Sequence, residues 1–230
     1  MIDINSTFDS ATRIEGRALA CRRGGRRVFE GLNFEVQAGD FLSLTGKNGS
    51  GKSSFLRMIA GFVPKSDGAL AYHLGEGEAP ILPSDDFTLV GHQNGLKSGM
   101  TLRENATFYY RLMTGSSPSA ERLQFAADIF ALGSLLDEPA QYFSSGQRHR
   151  AALMRFPLVA RKIWLMDEPT VGLDADNRAR LAALIQHHIA CGGIVIAATH
   201  DPLGVHGRTL DLDQFQPDVS ADSDIDEDWL

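Results

Sequence analysis

The residues that most constrain this chain form one continuous glycine-rich segment. They match the pattern G-x-x-x-x-G-K-[ST], in which glycines let successive backbone N–H groups converge on a polyphosphate. The lysine places a positive charge near the terminal phosphates, and the last serine offers its hydroxyl to Mg²⁺. The sequence therefore predicts a phosphate-binding loop made by Gly46, Lys47, Asn48, Gly49, Ser50, Gly51, Lys52, Ser53 and the following Ser54.

The residues on either side of this loop predict a strand before it and a helix after it. Phe41–Thr45 is a short apolar-rich run, and from Lys52 the apolar residues fall at helical spacing until Gly61. The loop then lies at a helix N-terminus, where unpaired N–H groups and the helix dipole favour an anion. A glycine-rich surface turn is the alternative, and this strand, loop and helix order disfavours it.

The net charge of −7 is concentrated at the C-terminal end. Eight acidic residues and no Lys or Arg follow Arg208, so residues 1–208 carry a net charge of +1. This near-neutral body argues neither for nor against binding to nucleic acid. Residues 217–230 combine few apolar side chains with many like charges, so we expect an acidic disordered tail.

The cysteines and the hydropathy of the sequence indicate which cellular compartment the chain is expected to occupy. Cys21 and Cys191 are far apart, and neither belongs to a C-x-x-C pair or to a cluster with metal-ligand spacing. We therefore expect two unbridged thiols in a reducing cytoplasm. The N-terminus has no signal-peptide core, and no stretch approaches about 18 consecutive apolar residues. Any membrane span is expected to come from another chain.

Two continuous apolar runs predict buried parallel strands. Ile163–Met166 and Ile194–Ala198 do not alternate with polar residues, as expected for strands covered on both faces. Between them, apolar residues at helical spacing from Leu181 to Ile189 predict one helix. A strand, helix and strand of this length form a crossover unit in a parallel sheet.

The rest of the chain divides into a β-rich beginning and a helical middle. Residues 17–45 have the pattern of short strands and turns, and residues 64–92 are turn-rich with one strand candidate at Phe87–Val90. Residues 101–135 have helical patterns. The helical part begins with the capping-box sequence Thr101–Glu104. We therefore predict an α/β fold with a mixed or parallel core sheet, an N-terminal antiparallel β part and an inserted α-helical subdomain.

Acidic and polar side chains follow the two predicted parallel strands. Asp167 and Glu168 come directly after the first, and His200 follows the second. Because the carboxyl ends of parallel strands meet at one edge of a sheet, these side chains should face the phosphate loop. There Asp167 would hold Mg²⁺, Glu168 would accept a proton from an attacking water, and His200 would donate to a phosphate. Alternatively, the two acids begin a surface turn before Pro169 and the histidine is structural.

A second candidate anion site precedes the helix predicted from Arg148. Phe143–Gln147 has the sequence F-S-S-G-Q, which puts small residues at a helix start where N–H groups are unpaired. A simple N-cap would explain the same residues.

In this order, the motifs resemble those of the ATP-binding cassette (ABC) ATPases. The phosphate loop corresponds to their Walker A motif, Asp167 and Glu168 to their Walker B pair, and His200 to their switch histidine. The resemblance covers about residues 16–210 and implies a P-loop NTPase core. It also implies that the chain binds ATP and Mg²⁺ and hydrolyses ATP.

Three further matches lie between or beside these motifs. Gln93 stands at the family's Q-loop position, Phe143–Gln147 resembles its signature sequence, and Leu173-Asp174 resembles its D-loop. The resemblance implies that Gln93 joins Ser53 and Asp167 at Mg²⁺, and that two copies pack head to tail so that the signature of one closes on the nucleotide of the other. The implied nucleotide contacts beyond the phosphate loop are Ser144, Ser145, Gly146, Gln147 and Asp174, and the implied catalytic residues are Lys52, Gln93, Glu168 and His200.

A narrower resemblance is to the CcmA type of ABC ATPase, the ATP-binding subunit of the haem exporter in bacterial cytochrome c maturation. It rests on Val90–Lys97, Leu102–Tyr109 and Gly192–Ile196. It implies multispanning membrane subunits as partners, no nucleic acid, and a peripheral place on the cytoplasmic face of the inner membrane. ATP hydrolysis would power haem export or the release of a haem-loaded chaperone.

The resemblance suggests a division of the chain and also shows two departures from the family. Many ABC ATPases stack adenine on an aromatic residue in the first strand region, where this chain has Arg22 and Arg23, so a guanidinium plane would take that place. Ser145 replaces a signature glycine and puts a Cβ near the expected phosphate. The predicted division is an N-terminal extension at 1–15, the ATPase core at 16–93 and 151–216, the helical and signature subdomain at 94–150, and the acidic tail at 217–230.

Three alternative functions remain open from the sequence. An ABC exporter of lipid, lipoprotein or a drug would use the same motifs. A soluble ABC ATPase that acts on nucleic acid or ribosomes would carry a long coiled coil, a zinc insert or a second cassette, and the sequence has none of these. A P-loop kinase would not need the S-x-G-Q sequence before the Walker B strand.

Overall fold

The structure, a computed structural model, describes Phe8 and residues 11–75, 77–79 and 81–217. Most of the predicted N-terminal extension and nearly all of the predicted acidic tail lie outside the described residues. Both cysteines are described, and neither forms a disulfide. None of the helices in these ranges is long and apolar enough to cross a bilayer.

Within these ranges the chain alternates between strands and helices. The strands are β1 (Arg13–Arg23), β2 (Arg26–Gln37), β3 (Phe41–Thr45), β4 (Asp67–Leu74), β5 (Gly77–Ala79), β6 (Phe87–Val90), β7 (Ile163–Asp167), β8 (Ile194–Ala198) and β9 (Arg208–Asp211). The α-helices are α1 (Lys52–Ile59), α2 (Leu102–Thr114), α3 (Ala120–Ile129), α4 (Ser145–Leu153), α5 (Arg155–Leu158) and α6 (Ala175–Ala190). Short 3-10 helices form at Gly133–Leu135, Ala140–Tyr142 and Leu212–Phe215.

The core sheet is parallel and follows the order β6-β7-β8-β3-β9. Every residue of β7 and β8 is buried, which explains why their sequences are continuous apolar runs. Helix α6 joins these two neighbouring strands, as the sequence predicts for a parallel crossover. The predicted α/β class with a parallel core sheet is therefore confirmed.

The N-terminal sheet is antiparallel and follows the order β2-β1-β4-β5. Its first two strands have 11 and 12 residues, so the prediction of several short strands was wrong. Irregular pairing around Leu19 breaks the apolar alternation in β1, which made one long strand look like several. Strand β1 also begins at Arg13, inside the segment predicted as an extension.

Residues predicted to be turn-rich instead contain β4. Its sequence is mostly small or polar, so it gives little strand signal of its own. The strand forms because it pairs along β1, where Ile14 lies opposite Tyr72. The Tyr72 hydroxyl then donates a buried hydrogen bond of 2.8 Å to the carbonyl of Ile59 at the end of α1. This contact ties the antiparallel sheet to the helix that follows the phosphate loop.

The helical middle of the chain forms the predicted inserted subdomain. Helix α2 starts with the expected capping box, in which Thr101 Oγ1 accepts from the Glu104 N–H at 3.1 Å and Glu104 Oε2 accepts from the Thr101 N–H at 2.8 Å. Gly115 ends this helix in a left-handed conformation (φ 71°), and α3 follows as a second helix in the stretch predicted to be helical.

The core sheet separates two hydrophobic cores. Trp164 and Met166 of β7 pack into the core shared with the helical subdomain and α6, whereas Ile163 and Leu165 pack into the core shared with α1 and the antiparallel sheet. Because successive side chains of a strand point to opposite faces, one short strand joins both layers. The carboxyl end of β7 is therefore fixed from two sides.

One buried histidine makes the stability of this packing depend on pH. The His188 ring on α6 stacks on Trp164 with centroids 3.7 Å apart, and its Nε2 lies 3.0 Å from the carbonyl oxygen of Lys162. Burial lowers the pKa of His188 from 6.5 to about 3. The folded protein therefore keeps this ring neutral where the unfolded chain takes up a proton.

We predict that acidification destabilises the protein through His188. The pKa is lowered on folding, so its contribution is complete above pH 6.5 and falls as the pH drops toward about 3. Between pH 7 and pH 5 the free energy of unfolding should fall by about 2 kcal/mol because of His188. Chemical denaturation at both pH values measures this change. The free energy of unfolding should fall less in His188→Phe than in the original chain, whereas the exposed control His206→Phe should behave as the original chain does. Equal losses in all three proteins would contradict a buried neutral His188.

Candidate functional site

The phosphate loop joins the end of β3 to the start of α1. Gly51, the residue before the helix, has φ 104°, and a Cβ there would lie 2.6 Å from Cγ1 of Val28. Only glycine fits this close approach of the loop to the β1–β2 hairpin. No side chain caps the first turn of α1, so its N–H groups remain available to an anion.

Lys52 lies inside the curve of this loop. Its side chain is buried, and Nζ donates to the carbonyl oxygens of Gly46 at 2.6 Å and Lys47 at 3.1 Å. These bonds satisfy a cation that would otherwise be costly to bury. Phosphate oxygens of a bound nucleotide would accept from the same ammonium group, as the sequence predicts.

The hydroxyl of Ser53 and the carboxylate of Asp167, two of the groups predicted to hold a metal, lie next to each other. Ser53 Oγ donates to Asp167 Oδ1 at 3.0 Å, and Asp167 is buried at the end of β7. Strand β8 lies between β3 and β7, so the strand of Asp167 is not a direct neighbour of the loop strand. The two side chains meet because α1 packs against both β7 and β8.

These oxygen donors fit Mg²⁺. Within the described residues, no group of three or more His, Cys, Asp or Glu side chains could hold a metal ion. Mg²⁺ commonly takes one or two protein carboxylates and completes its coordination with phosphate oxygens and water. Ser53 and Asp167 supply a partial set of this kind, beside a loop suited to phosphate.

Glu168 and His200 lie next to each other at the same edge of the sheet. The Glu168 N–H donates to the carbonyl of Ala198 at 2.8 Å, and the residue has an unusual positive φ of 54°, which turns the chain away from the strand. His200 Nε2 lies 3.4 Å from Glu168 Oε1 and 2.9 Å from Asn48 Oδ1. One imidazole thus contacts both the phosphate loop and Glu168, the acid that follows β7.

A cavity of about 610 Å³ connects these groups, a volume within the usual range for small-ligand sites. It is bordered by residues of the phosphate loop and by the acids and histidine described above. Four of its wall residues, Val28, Arg57, His92 and Val171, were not predicted from the sequence. Arg57 could have been found, since it lies one helical turn after Ser54 on α1, but nothing local in the sequence pointed to the others. The wall consists of Arg23, Val28, Asn48, Gly49, Gly51, Lys52, Ser53, Ser54, Arg57, His92, Asp167, Glu168, Val171 and His200.

Gln93, which was predicted to bind the metal, does not border the cavity. It is exposed in the irregular segment after β6, and its neighbour His92 lines the cavity instead. Adjacent side chains in extended backbone point in different directions. The sequence position alone therefore could not tell which of the two residues faces the site.

The signature residues lie outside this cavity and cap their own helix. Ser144 Oγ accepts from the Gln147 N–H at 3.2 Å, and Gln147 Oε1 accepts from the Ser144 N–H at 2.8 Å. The helix predicted from Arg148 therefore starts earlier, at Ser145. The simple N-cap considered from sequence is present, and Ser144 and Ser145 are also exposed to any partner.

The D-loop packs against the signature helix within the same chain. A Cβ on Gly146 would lie 3.0 Å from the carbonyl oxygen of Gly172, so the two segments are in close contact. Asp174 caps α6 by accepting from the Asn177 N–H at 2.8 Å, and this hydrogen bond lowers the pKa of its carboxyl group. Neither Gly146 nor Asp174 borders the cavity of its own chain.

Comparisons with known proteins agree with this geometry. The ABC transporter family model matches residues 29–171. The cytochrome c biogenesis ATP-binding export protein CcmA of Rhodopseudomonas palustris (strain BisB5) is 40% identical over 197 residues, which cover 86% of this chain and 96% of that relative. The CcmA protein of Mesorhizobium japonicum is 42% identical over 198 residues, with the same coverage of both chains.

Solved structures share the fold. An ABC transporter ATP-binding protein from Pyrococcus furiosus superposes with a TM-score of 0.77 at 18% identity, covering 89% of this chain and all of that one. The dimeric post-hydrolysis structure of the ATP-binding cassette MJ0796, bound to ADP and Pi, superposes with a TM-score of 0.71 at 22% identity, covering 82% of this chain and 88% of that one.

We predict that Lys52→Ala weakens nucleotide binding at least about tenfold, because a hydrogen bond to a charged group contributes about 1.5–3 kcal/mol. Titration calorimetry with ATP measures the effect. Lys47→Ala is a matched control, since it removes the same charge from an exposed side chain of the same loop that does not border the cavity. Unchanged affinity in Lys52→Ala, or equal losses in both variants, would count against the phosphate-loop assignment.

Proposed function

The chain belongs to the ABC transporter family and, within it, to the CcmA group of cytochrome c biogenesis ATP-binding export proteins. From this premise we propose that it is the ATP-hydrolysing subunit of an exporter that serves cytochrome c maturation. One observation carries the proposal: a lysine, a serine–carboxylate pair and a glutamate–histidine pair surround a single cavity at the sheet edge. The names of the curated relatives favour this exporter over those for lipid, lipoprotein or drugs.

The proposed reaction is in-line attack of water on the terminal phosphate of ATP. The loop N–H groups and Lys52 would bind the phosphates, and Ser53 and Asp167 would hold Mg²⁺. Bound Mg²⁺ supplies positive charge that neutralises the phosphate oxygens. Glu168 would orient the water and accept its proton, and His200, which lies beside it, would contact the terminal phosphate from the same edge. Position and electrostatics would therefore do most of the catalytic work.

Gln93 remains a proposed metal ligand and sensor. To reach Ser53 and Asp167 it must exchange places with His92, which borders the cavity here. The residues after β6 have no regular secondary structure until α2 begins, so such a change would not break a strand or helix. Because this segment leads into the helical subdomain, the change would couple the conformation of that subdomain to the presence of a terminal phosphate.

A second copy of the chain is the proposed partner at the nucleotide. Ser144 and Ser145 are exposed at the start of α4 and do not border the cavity of their own chain. The N–H groups of a helix start favour an anion, so these residues are suited to a phosphate held by another copy. The solved dimer that shares the fold shows that two such domains assemble, and we propose the head-to-tail arrangement for this chain.

Membrane subunits are the other proposed partners, with this chain peripheral on the cytoplasmic face of the inner membrane. Helix α2 leaves Phe108 and Leu112 exposed (45% and 70%) beside a groove of about 200 Å³. Lys97 lies over the Phe108 ring at 4.0 Å from its centroid and gives the groove a polar rim. An apolar groove with a polar rim is suited to a segment of another protein.

We predict that Glu168→Gln lowers the turnover of ATP at least about 100-fold, because it removes the proton acceptor. ATP affinity should stay within about twofold, since the amide keeps the size of the side chain and the phosphate loop is untouched. Phosphate release and calorimetry measure the two quantities. The exposed Glu121→Gln on α3 is the control and should keep full turnover. Residual hydrolysis near the original rate would remove Glu168 from its proposed role.

We predict that the chain co-purifies with haem-handling membrane subunits and that Leu112→Glu abolishes this association. Ile81→Glu is a matched control, because Ile81 is exposed to nearly the same extent (66% against 70%) but lies outside the groove. Mass spectrometry of tagged protein solubilised from membranes identifies the partners. Subunits of a lipid, lipoprotein or drug exporter would replace the haem assignment, and recovery of ribosomes or DNA instead would contradict the transporter role. Equal loss in both variants would contradict the groove.

A further inference from the structure

The outer side of the phosphate loop contacts a segment from the far end of the chain. The carboxylate of Asp213 accepts from the Lys47 N–H, with both oxygens in range at 3.1 and 3.2 Å. The Gln216 side chain donates from Nε2 to the carbonyl oxygen of Ser50 at 3.0 Å. We name residues 212–216, the 3-10 helix and the glutamine after it, the C-terminal strap.

The sheet places this strap beside the loop. Strand β9 is the parallel neighbour of β3, and Thr45 lies opposite Asp211, so both strands end at the same level. The buried side chain of Leu212 anchors the strap in the core. Asp211 Oδ1 accepts from the Asp213 N–H at 3.1 Å and fixes the start of the strap. The carboxylate of Asp213 is thus held against the loop by surrounding structure.

The strap contacts parts of the loop that do not border the cavity. Lys47 and Ser50 do not border the cavity, and neither does any strap residue. The strap is also close to the loop, since a Cβ on Gly46 would lie 3.1 Å from Asp213 Oδ1. Its hydrogen bonds can therefore persist while the cavity side of the loop binds phosphate.

Lys52 makes this external support important. Its bonds to the carbonyls of Gly46 and Lys47 hold the loop curved from inside. The proposed function requires the ammonium group to turn to phosphate oxygens, which removes those internal bonds. The contacts from the strap then remain to hold the loop from outside.

We propose that Asp213 and Gln216 are positioning residues, which keep the phosphate loop curved for anion binding when Lys52 leaves its own carbonyls. The inference rests on the proposed function and adds residues that act on nucleotide affinity without touching the nucleotide. A preformed loop lowers the ordering needed on binding. The strap therefore acts on Kd and KM, whereas kcat depends on groups carried by β7 and β8.

The test compares substitutions within the strap on the full chain. Asp213→Ala and Gln216→Ala should each weaken ATP and ADP binding by about three- to tenfold and raise KM for ATP in parallel, the effect of one lost hydrogen bond. The kcat should stay within about twofold. Gln214→Ala is the matched control, because Gln214 lies in the same 3-10 helix and its side chain contacts only Asp211 within the strap region, at 3.5 Å. It should bind and turn over ATP as the original chain does.

Conservative variants separate positioning from a merely structural role. Asp213→Asn keeps an oxygen that can accept from the Lys47 N–H, so its affinity should return to within about twofold. Gln216→Glu has no N–H to donate to Ser50 and should bind as weakly as Gln216→Ala or more weakly. Thermal unfolding by circular dichroism establishes the folded fraction of each variant.

Three results would overturn the inference. They are unchanged affinity in Asp213→Ala and Gln216→Ala, an Asp213→Asn protein as weak as Asp213→Ala, or a fall in kcat with KM unchanged. If Asp213→Ala does not fold, the comparison of Gln216→Ala with Gln214→Ala decides alone. A loss of binding in Lys52→Ala without any loss in the strap variants would refute only the strap, whereas no ATP binding by the original chain would refute the proposed function itself.

Discussion

The register of three parallel strands determines where every candidate catalytic group lies. Strand β8 pairs with both β3 and β7, so Ala198 lies opposite Leu44 on one side and Asp167 on the other. Because side chains alternate between faces, a slip of one residue would turn Asp167 away from Ser53. Full burial of β7 and β8 prevents such a slip, since it would force mismatched side chains into two packed cores at once.

The same burial explains why the site is formed in the protein alone. Lys52 and Asp167 are only 7% and 5% exposed, and an unpaired charge at that depth would be strongly unfavourable. Each therefore has a partner within the protein, the loop carbonyls for the lysine and the Ser53 hydroxyl for the aspartate. A bound nucleotide would therefore meet a site that is already assembled. Few groups would have to become ordered on binding, so the entropic cost of binding would be small.

Local sequence predicted the elements whose signal is local. The bounds of β3, β6 and β8 agree with the predicted strands, and β8 is a continuous apolar run because it is buried on both faces. Features that depend on distant pairing were missed: β4 forms only through β1, and irregular pairing hides the length of β1. Within the site, the motifs predicted the residues that strand ends and the loop bring together. The choice of His92 over Gln93 and the contact of Asp213 with the loop depend on tertiary structure, and no local pattern encodes them.

The signature segment caps its own helix and is also the proposed contact with a second copy. Ser144 uses its side chain and backbone within its own helix cap, so its identity is already required for the fold. Ser145 is different, because it is the first residue of α4 and its side chain is exposed. Nothing around it in the described part of the same chain favours glycine over serine. The departure from glycine at Ser145 therefore has no cost within one chain. Under the proposed head-to-tail assembly, an effect of that Cβ would arise where a second copy approaches, so the substitution would act on assembly and not on folding.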